Sequence, residues 1–130
     1  MPVIQSLLDP HSEQFAQNRA AMLSAIEQVR ALEQNLLNKA AEAKPKFEKR
    51  GQLLPRERLN LLLDPGAPFL ELASLAGYKL HDDKDGSSAG GGLIAGIGYV
   101  SGVRVLVVAN NSAIKGGTIS PSGLKKSLRL

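Results

Sequence analysis

The residues best placed to do chemistry lie in one corner of the sequence, Lys115-Gly116-Gly117-Thr118-Ile119-Ser120, between the apolar run Val103–Ala109 and Pro121. Glycines at such a place let the backbone come close to a ligand and take up positive φ. Ser120-Pro121 then offers a cap and a first turn for a helix. The free N–H groups and dipole of a helix start favour negative charge, so the corner suits a phosphate or the oxyanion of a polarised carbonyl. Its spacing matches neither GxxxxGK followed by Ser or Thr nor GxGxxG. A plain strand-to-helix turn with a solvated Lys115 accounts for the same residues, and at the level of the motif both readings stay open.

Elsewhere the chemical signal is thin. The chain has no cysteine, which removes thiol nucleophiles, thiolate metal sites and a disulfide scaffold. His11 and His81 stand far apart, with no spacing that suggests metal ligation. Asp82, Asp83 and Asp85 fall in "HDDKDGSSAGGG", which reads as a mobile, solvated loop rather than a cation site. In "PRER", Arg56 and Arg58 are expected on a short helix, either bridged to Glu57 or used in a subunit contact. No nucleophile–base pair is visible.

Sixteen Lys and Arg against twelve Asp and Glu give a net charge of +4, with basic residues gathered between Lys39 and Arg58 and again at Lys125, Lys126 and Arg129. Such patches attract nucleic acid, phosphorylated cofactors or acidic partners, or simply form a solvated face. Nucleic acid is disfavoured because the cations lack interleaved aromatics and no recognition motif is present. No segment approaches the roughly 18 apolar residues of a membrane span, and "MPVIQSLLDPHSEQF" has no basic leader or long apolar stretch. The chain therefore reads as cytoplasmic.

These residues need elements to position them. Asp9-Pro10 is a plausible helix start, and Met22, Ile26, Val29, Leu32, Leu36 and Ala40 recur at steps of three and four. That predicts a helix of roughly 30 residues ending before Pro45, followed by "KPKFEKRGQ" as a basic connector. Pro55 opens a shorter helix with Leu59, Leu62 and Leu63 on one face, closed by the turn Asp64-Pro65-Gly66. "FLELASL" reads as a strand. "LIAGIGYV" and "VRVLVVAN", parted only by Ser101-Gly102, read as a tight hairpin. The second run is almost continuously apolar, as for a strand covered on both faces. Covering it takes more layers than 130 residues easily supply, which raises the expectation of a truncated product.

The linked pattern in "RGQLLPRERLNLLLDPGAPFLELASLAGY" and "GGLIAGIGYVSGVRVLVVANNSAIKGGTISPSGLKKSLRL" resembles the β (carboxyltransferase) subunits of biotin-dependent acyl-CoA carboxylases. Within them it is most similar to the geranyl-CoA and methylcrotonyl-CoA type. The resemblance implies an α/β, crotonase-like fold. Residues 1–50 would form an N-terminal helical arm and connector, and residues 51–130 the opening of the first of two crotonase-type halves. It implies carboxyl transfer from carboxybiotin on a partner α subunit to an acyl-CoA enolate, in a homo-oligomer of β subunits. Lys115, Gly116, Gly117, Thr118, Ile119 and Ser120 would form a substrate-side wall, Arg56 and Arg58 a subunit contact, and no catalytic residue is assignable. Where methylcrotonyl-type relatives carry "KGGTYYP", this chain has "KGGTISP". Two aromatics fewer open volume beside the acyl site, which favours geranyl-CoA over methylcrotonyl-CoA. The alternative of another class is a fragment that acts only as a subunit-interaction module.

Overall fold

The computed structural model describes residues 6, 8–80 and 83–130. Contacts divide the chain into two compact units, Met1–Leu32 and Glu33–Leu130. Helix α1 (Glu13–Ala41) begins in the first and ends in the second. Its cap is Ser12 rather than Asp9: the Ser12 hydroxyl accepts the Phe15 N–H at 3.2 Å, while Asp9 closes the turn before it by accepting from His11 N–H at 2.9 Å. In the first unit the apolar stripe stays largely in solvent, with Met22 62% and Val29 47% exposed, and only Leu32 at its end is half-buried. In the second it is half-buried at Leu36 and buried at Ala40.

The expected basic connector is partly helical. Helix α2 (Lys44–Glu48) carries Pro45 in its first turn, where a missing N–H breaks no helical bond. Helix α3 (Pro55–Leu62) opens on proline as expected. The Glu57 carboxylate reaches back to the Leu54 N–H at 2.9 Å and pairs with Lys44 Nζ at 3.0 Å. Glu57 is therefore not Arg56's partner, as the spacing within "PRER" suggested. Of the α3 leucines only Leu59 is buried.

The sheet is antiparallel with order β1-β2-β3. "FLELASL" contributes only β1 (Leu70–Glu71), since the chain turns at Ala73, held at φ 49°. The hairpin of β2 (Leu93–Val100) and β3 (Val103–Asn110) is as read, with Val100 opposite Val103. Ser101 and Gly102 both take positive φ, the geometry that matches the twist of paired strands. Both Asp64 carboxylate oxygens cap this turn, accepting from Ser101 N–H and Gly102 N–H at 2.7 Å each. One sheet face carries Ile94, Gly96 and Gly98. Glycine at the latter two admits the Phe69 ring and Leu63, because a Cβ at Gly96 would lie 2.6 Å from the Leu70 carbonyl and one at Gly98 2.7 Å from Leu63.

Two expectations need correction. Strand β3 is not covered on both faces: its residues alternate between half-buried and exposed, with Leu106 and Val108 each 47% exposed. Among the described residues nothing covers the face that carries Leu106 and Val108. The glycine-rich segment is not a bare solvated loop either. Asp83 is buried, and its carboxylate accepts from Ser88 N–H and hydroxyl at 2.7 Å and from Lys79 N–H at 3.3 Å. His81 and Asp82 lie outside the described residues.

Candidate substrate-binding corner

Strand β3 delivers the chain to Asn111, whose buried N–H donates to the Gly92 carbonyl at 2.8 Å. The exit of β3 is thus tied to the entry of β2. A 3₁₀ turn follows (Lys115–Gly117), in which Lys115, Gly116 and Gly117 all have positive φ. Left-handed backbone costs a lysine about 1 kcal/mol or more, and such strain persists where neighbouring structure enforces it. Here the Gly117 N–H donates to Ile114 and the Thr118 N–H to the Lys115 carbonyl, while a Cβ at Gly117 would lie 3.3 Å from Ser112.

Helix α4 (Pro121–Ser127) starts straight after the corner, with Ser120 as its cap and proline in its first turn, as read. The Ser120 hydroxyl accepts the Gly123 N–H at 3.0 Å, and the Leu124 N–H goes to the Ser120 carbonyl. Those donors are engaged within the chain, which leaves a helix of two turns with little to offer a phosphate.

The corner opens instead on a cleft of about 130 Å³. Its walls come from the glycine loop, the corner and α4, with Leu93, Ile119 and Leu124 giving it an apolar lining and no charged side chain among its walls. Gly117, Thr118 and Ile119 line it. Lys115, Gly116 and Ser120 flank it in sequence without lining it. Ile119 is 80% exposed. This arrangement suits an uncharged, flexible hydrocarbon better than an anion.

Two features of the site were missed in the sequence. Gly91, assigned to a loop, packs backbone to backbone on α4: a Cβ there would lie 2.7 Å from the Gly123 Cα. Its signal was the glycine run directly before an apolar strand, where a close backbone approach is needed. Lys126, counted in a basic cluster, is only 4% exposed and donates to the Leu93 carbonyl at 2.7 Å and the Gly90 carbonyl at 3.2 Å. Burial pushes its ammonium below the ordinary lysine range, with Glu71 opposing that shift and Arg56 adding to it.

Arg56 and Arg58 part company. Arg56 pairs with Glu71 on β1 at 2.8 Å, and Arg58 is exposed. At the other end of the loop, Asp85 is held below the usual carboxylate range chiefly by the Ser87 N–H and hydroxyl.

Comparison with known proteins gives this geometry its context. In structure the chain is similar to the β subunit of geranyl-CoA carboxylase from P. aeruginosa, with TM-score 0.87 and 73% identity over 98% of this chain and 24% of that one. In sequence it is 41% identical over 128 residues to a probable mitochondrial methylcrotonoyl-CoA carboxylase β chain of Drosophila melanogaster, covering 98% of this chain and 22% of that protein. It is 52% identical over 87 residues to the biotin-dependent 3-methylcrotonyl-coenzyme A carboxylase β1 subunit of Mycobacterium tuberculosis, 67% of this chain and 16% of that one. The chain thus spans a quarter or less of the length of these relatives. Its fold is that of the crotonase-like carboxyltransferases. Residues 46–130 match the carboxyl transferase domain, and the chain belongs to that family.

Proposed function

We propose that the protein to which this chain belongs is the carboxyltransferase component of a biotin-dependent acyl-CoA carboxylase whose substrate is geranyl-CoA. The observation that carries the substrate assignment is the 73% identity to the geranyl-CoA carboxylase β subunit across nearly the whole chain. The uncharged, largely apolar cleft at that corner fits a hydrocarbon tail. In this reading the corner Lys115, Gly116, Gly117, Thr118, Ile119 and Ser120 serves as the acyl-CoA wall, with Gly117, Thr118 and Ile119 facing the cleft and Lys115, Gly116 and Ser120 flanking them. The family relation implies that carboxybiotin on a partner α subunit supplies the carboxyl group, and this chain's residues are assigned to the acyl-CoA side alone. Residues 1–50 act as a helical arm with its connector, and residues 51–130 open the first crotonase-type half. Arg58, exposed on α3, is open to a neighbouring subunit in a homo-oligomer of β chains. Arg56, held by Glu71, would shape such a contact from behind. Among the described residues no helix is long and apolar enough to cross a membrane, which is compatible with a cytoplasmic enzyme.

The methylcrotonyl-CoA alternative draws on the 41% and 52% identical relatives. Ile119 and Ser120 separate the two. Ile119 lines the cleft and Ser120 adjoins it in sequence, and an aromatic pair at these positions would narrow it for a short branched acyl group. The test is carboxylation of geranyl-CoA and methylcrotonyl-CoA by the full-length subunit assembled with its biotinylated partner. Preference for geranyl-CoA is expected, and Ile119→Tyr with Ser120→Tyr should move the kcat/KM ratio toward methylcrotonyl-CoA by about tenfold. Turnover of methylcrotonyl-CoA alone would sink the geranyl assignment. Turnover of neither would leave the interaction-module reading.

A further inference from the structure

We propose that Lys126 is a positioning residue for the substrate cleft: its ammonium clamps the glycine loop to α4 and so sets the cleft's width. The proposal rests on the reading of the corner as the acyl-CoA wall.

Three observations carry it. The Lys126 Nζ donates to the carbonyls on either side of the Gly91-Gly92 pair, Gly90 at 3.2 Å and Leu93 at 2.7 Å. One turn earlier on the same helix Gly123 sits against Gly91, so α4 touches the loop at two successive points and its pitch is locked. The loop in turn reaches the corner. The Gly92 carbonyl holds the Asn111 N–H, and a Cβ on Gly92 would lie 3.1 Å from the Thr118 carbonyl. Glycine loop, corner and α4 are the walls of the cleft, and Lys126 joins two of them.

A buried ammonium is an expensive way to hold a helix. Taking an ammonium out of water is costly, and removing it would leave the Gly90 and Leu93 carbonyls short of a donor. Methionine would fill the same channel with no charge to bury. What a lysine supplies and a methionine does not is direction: its donors fix two carbonyls and hence the conformation of the glycines between them. Glu71 and Arg56, on β1 and α3, are the charged groups that act on it.

The experiment uses the full-length subunit assembled with its biotin-carrying partner. Lys126→Met should raise KM for geranyl-CoA by about tenfold and change kcat by less than about threefold. Amide exchange over residues 90–93 and 115–120 should speed up. Lys126→Gln, which keeps an uncharged donor group, should recover part of both effects, and it carries the readings if the methionine variant fails to assemble. Lys125→Met, at the exposed neighbouring position, should behave as the unmutated protein. Unchanged KM with unchanged exchange overturns the clamp. Faster exchange with unchanged KM keeps the clamp but removes its role in the substrate cleft. If the unmutated subunit turns over no acyl-CoA, the functional reading fails separately, and the exchange rates still decide the clamp.

Discussion

Strands β2 and β3 are paired residue for residue, yet they meet different fates. β3 is the more apolar in sequence, with Val103, Val105, Leu106, Val107 and Val108 nearly unbroken. β2 is diluted by Ala95, Gly96 and Gly98. Burial runs the other way: Ile94 is 1% and Ala95 0% exposed, whereas Leu106 and Val108 are each 47% exposed. β2 is the central strand, with β1 on one side and β3 on the other, and its glycines let Phe69 and Leu63 press onto it. β3 lies at the edge. Hydrophobicity states what a strand would gain from cover, but the topology decides which strand receives it. Leu70, Ile97, Leu106 and Val108 stand on the open face in adjoining registers, each partly exposed.

The contrast can be broken by mutation in the full-length subunit, scored by denaturant unfolding. Gly96→Val has the largest expected effect, a loss of about 4 kcal/mol or failure to fold, since its side chain would drive into Phe69 and the Leu70 carbonyl. Ile94→Ala follows at about 3 kcal/mol, because a fully buried isoleucine leaves a cavity. Asp64→Ala removes both acceptors from the turn that joins the two strands and should cost about 1–2 kcal/mol. Leu106→Asn should cost least, under about 1 kcal/mol, if its face stays open to water. A cost of 2 kcal/mol or more would mean that residues outside these 130 cover β3, and the contrast with β2 would vanish.

A pH effect sharpens the same picture at the site. Lys126 has a folded-state value below its unfolded one, so the unfolded chain binds the extra proton. Stability should therefore rise with pH through the interval just below the ordinary lysine value of 10.5, and Lys126→Met should abolish that rise. A titration of the unfolding midpoint in alkaline buffers measures it.

Local chemistry made much of the fold readable. Pro55 starts α3, Ser101-Gly102 turns the hairpin, and Ser120-Pro121 starts α4, because each depends on a few adjacent residues and their backbone preferences. The corner Lys115–Ser120 was readable for the same reason, along with the family pattern that residues 46–130 match. Short-range rules failed where distant segments compete. "FLELASL" kept only two residues in the sheet, and "KPKFE" became a helical turn despite its proline.

By itself, then, the sequence determined the hairpin and its register, the places where helices start, the glycine corner and the family, all of which follow from neighbours in the chain. Only the tertiary structure decided that Gly91 meets Gly123, that Asp83 and Lys126 are buried, and that Arg56 chooses Glu71 over the adjacent Glu57. The glycine contact, the burial of the lysine and the choice of the arginine depend on groups 15 to 36 residues apart being brought together, as in Arg56 with Glu71 and Lys126 with the Gly90 carbonyl. Whether a charge is solvated or buried depends on what folds over it, and a pattern of residue types along one segment carries no record of that.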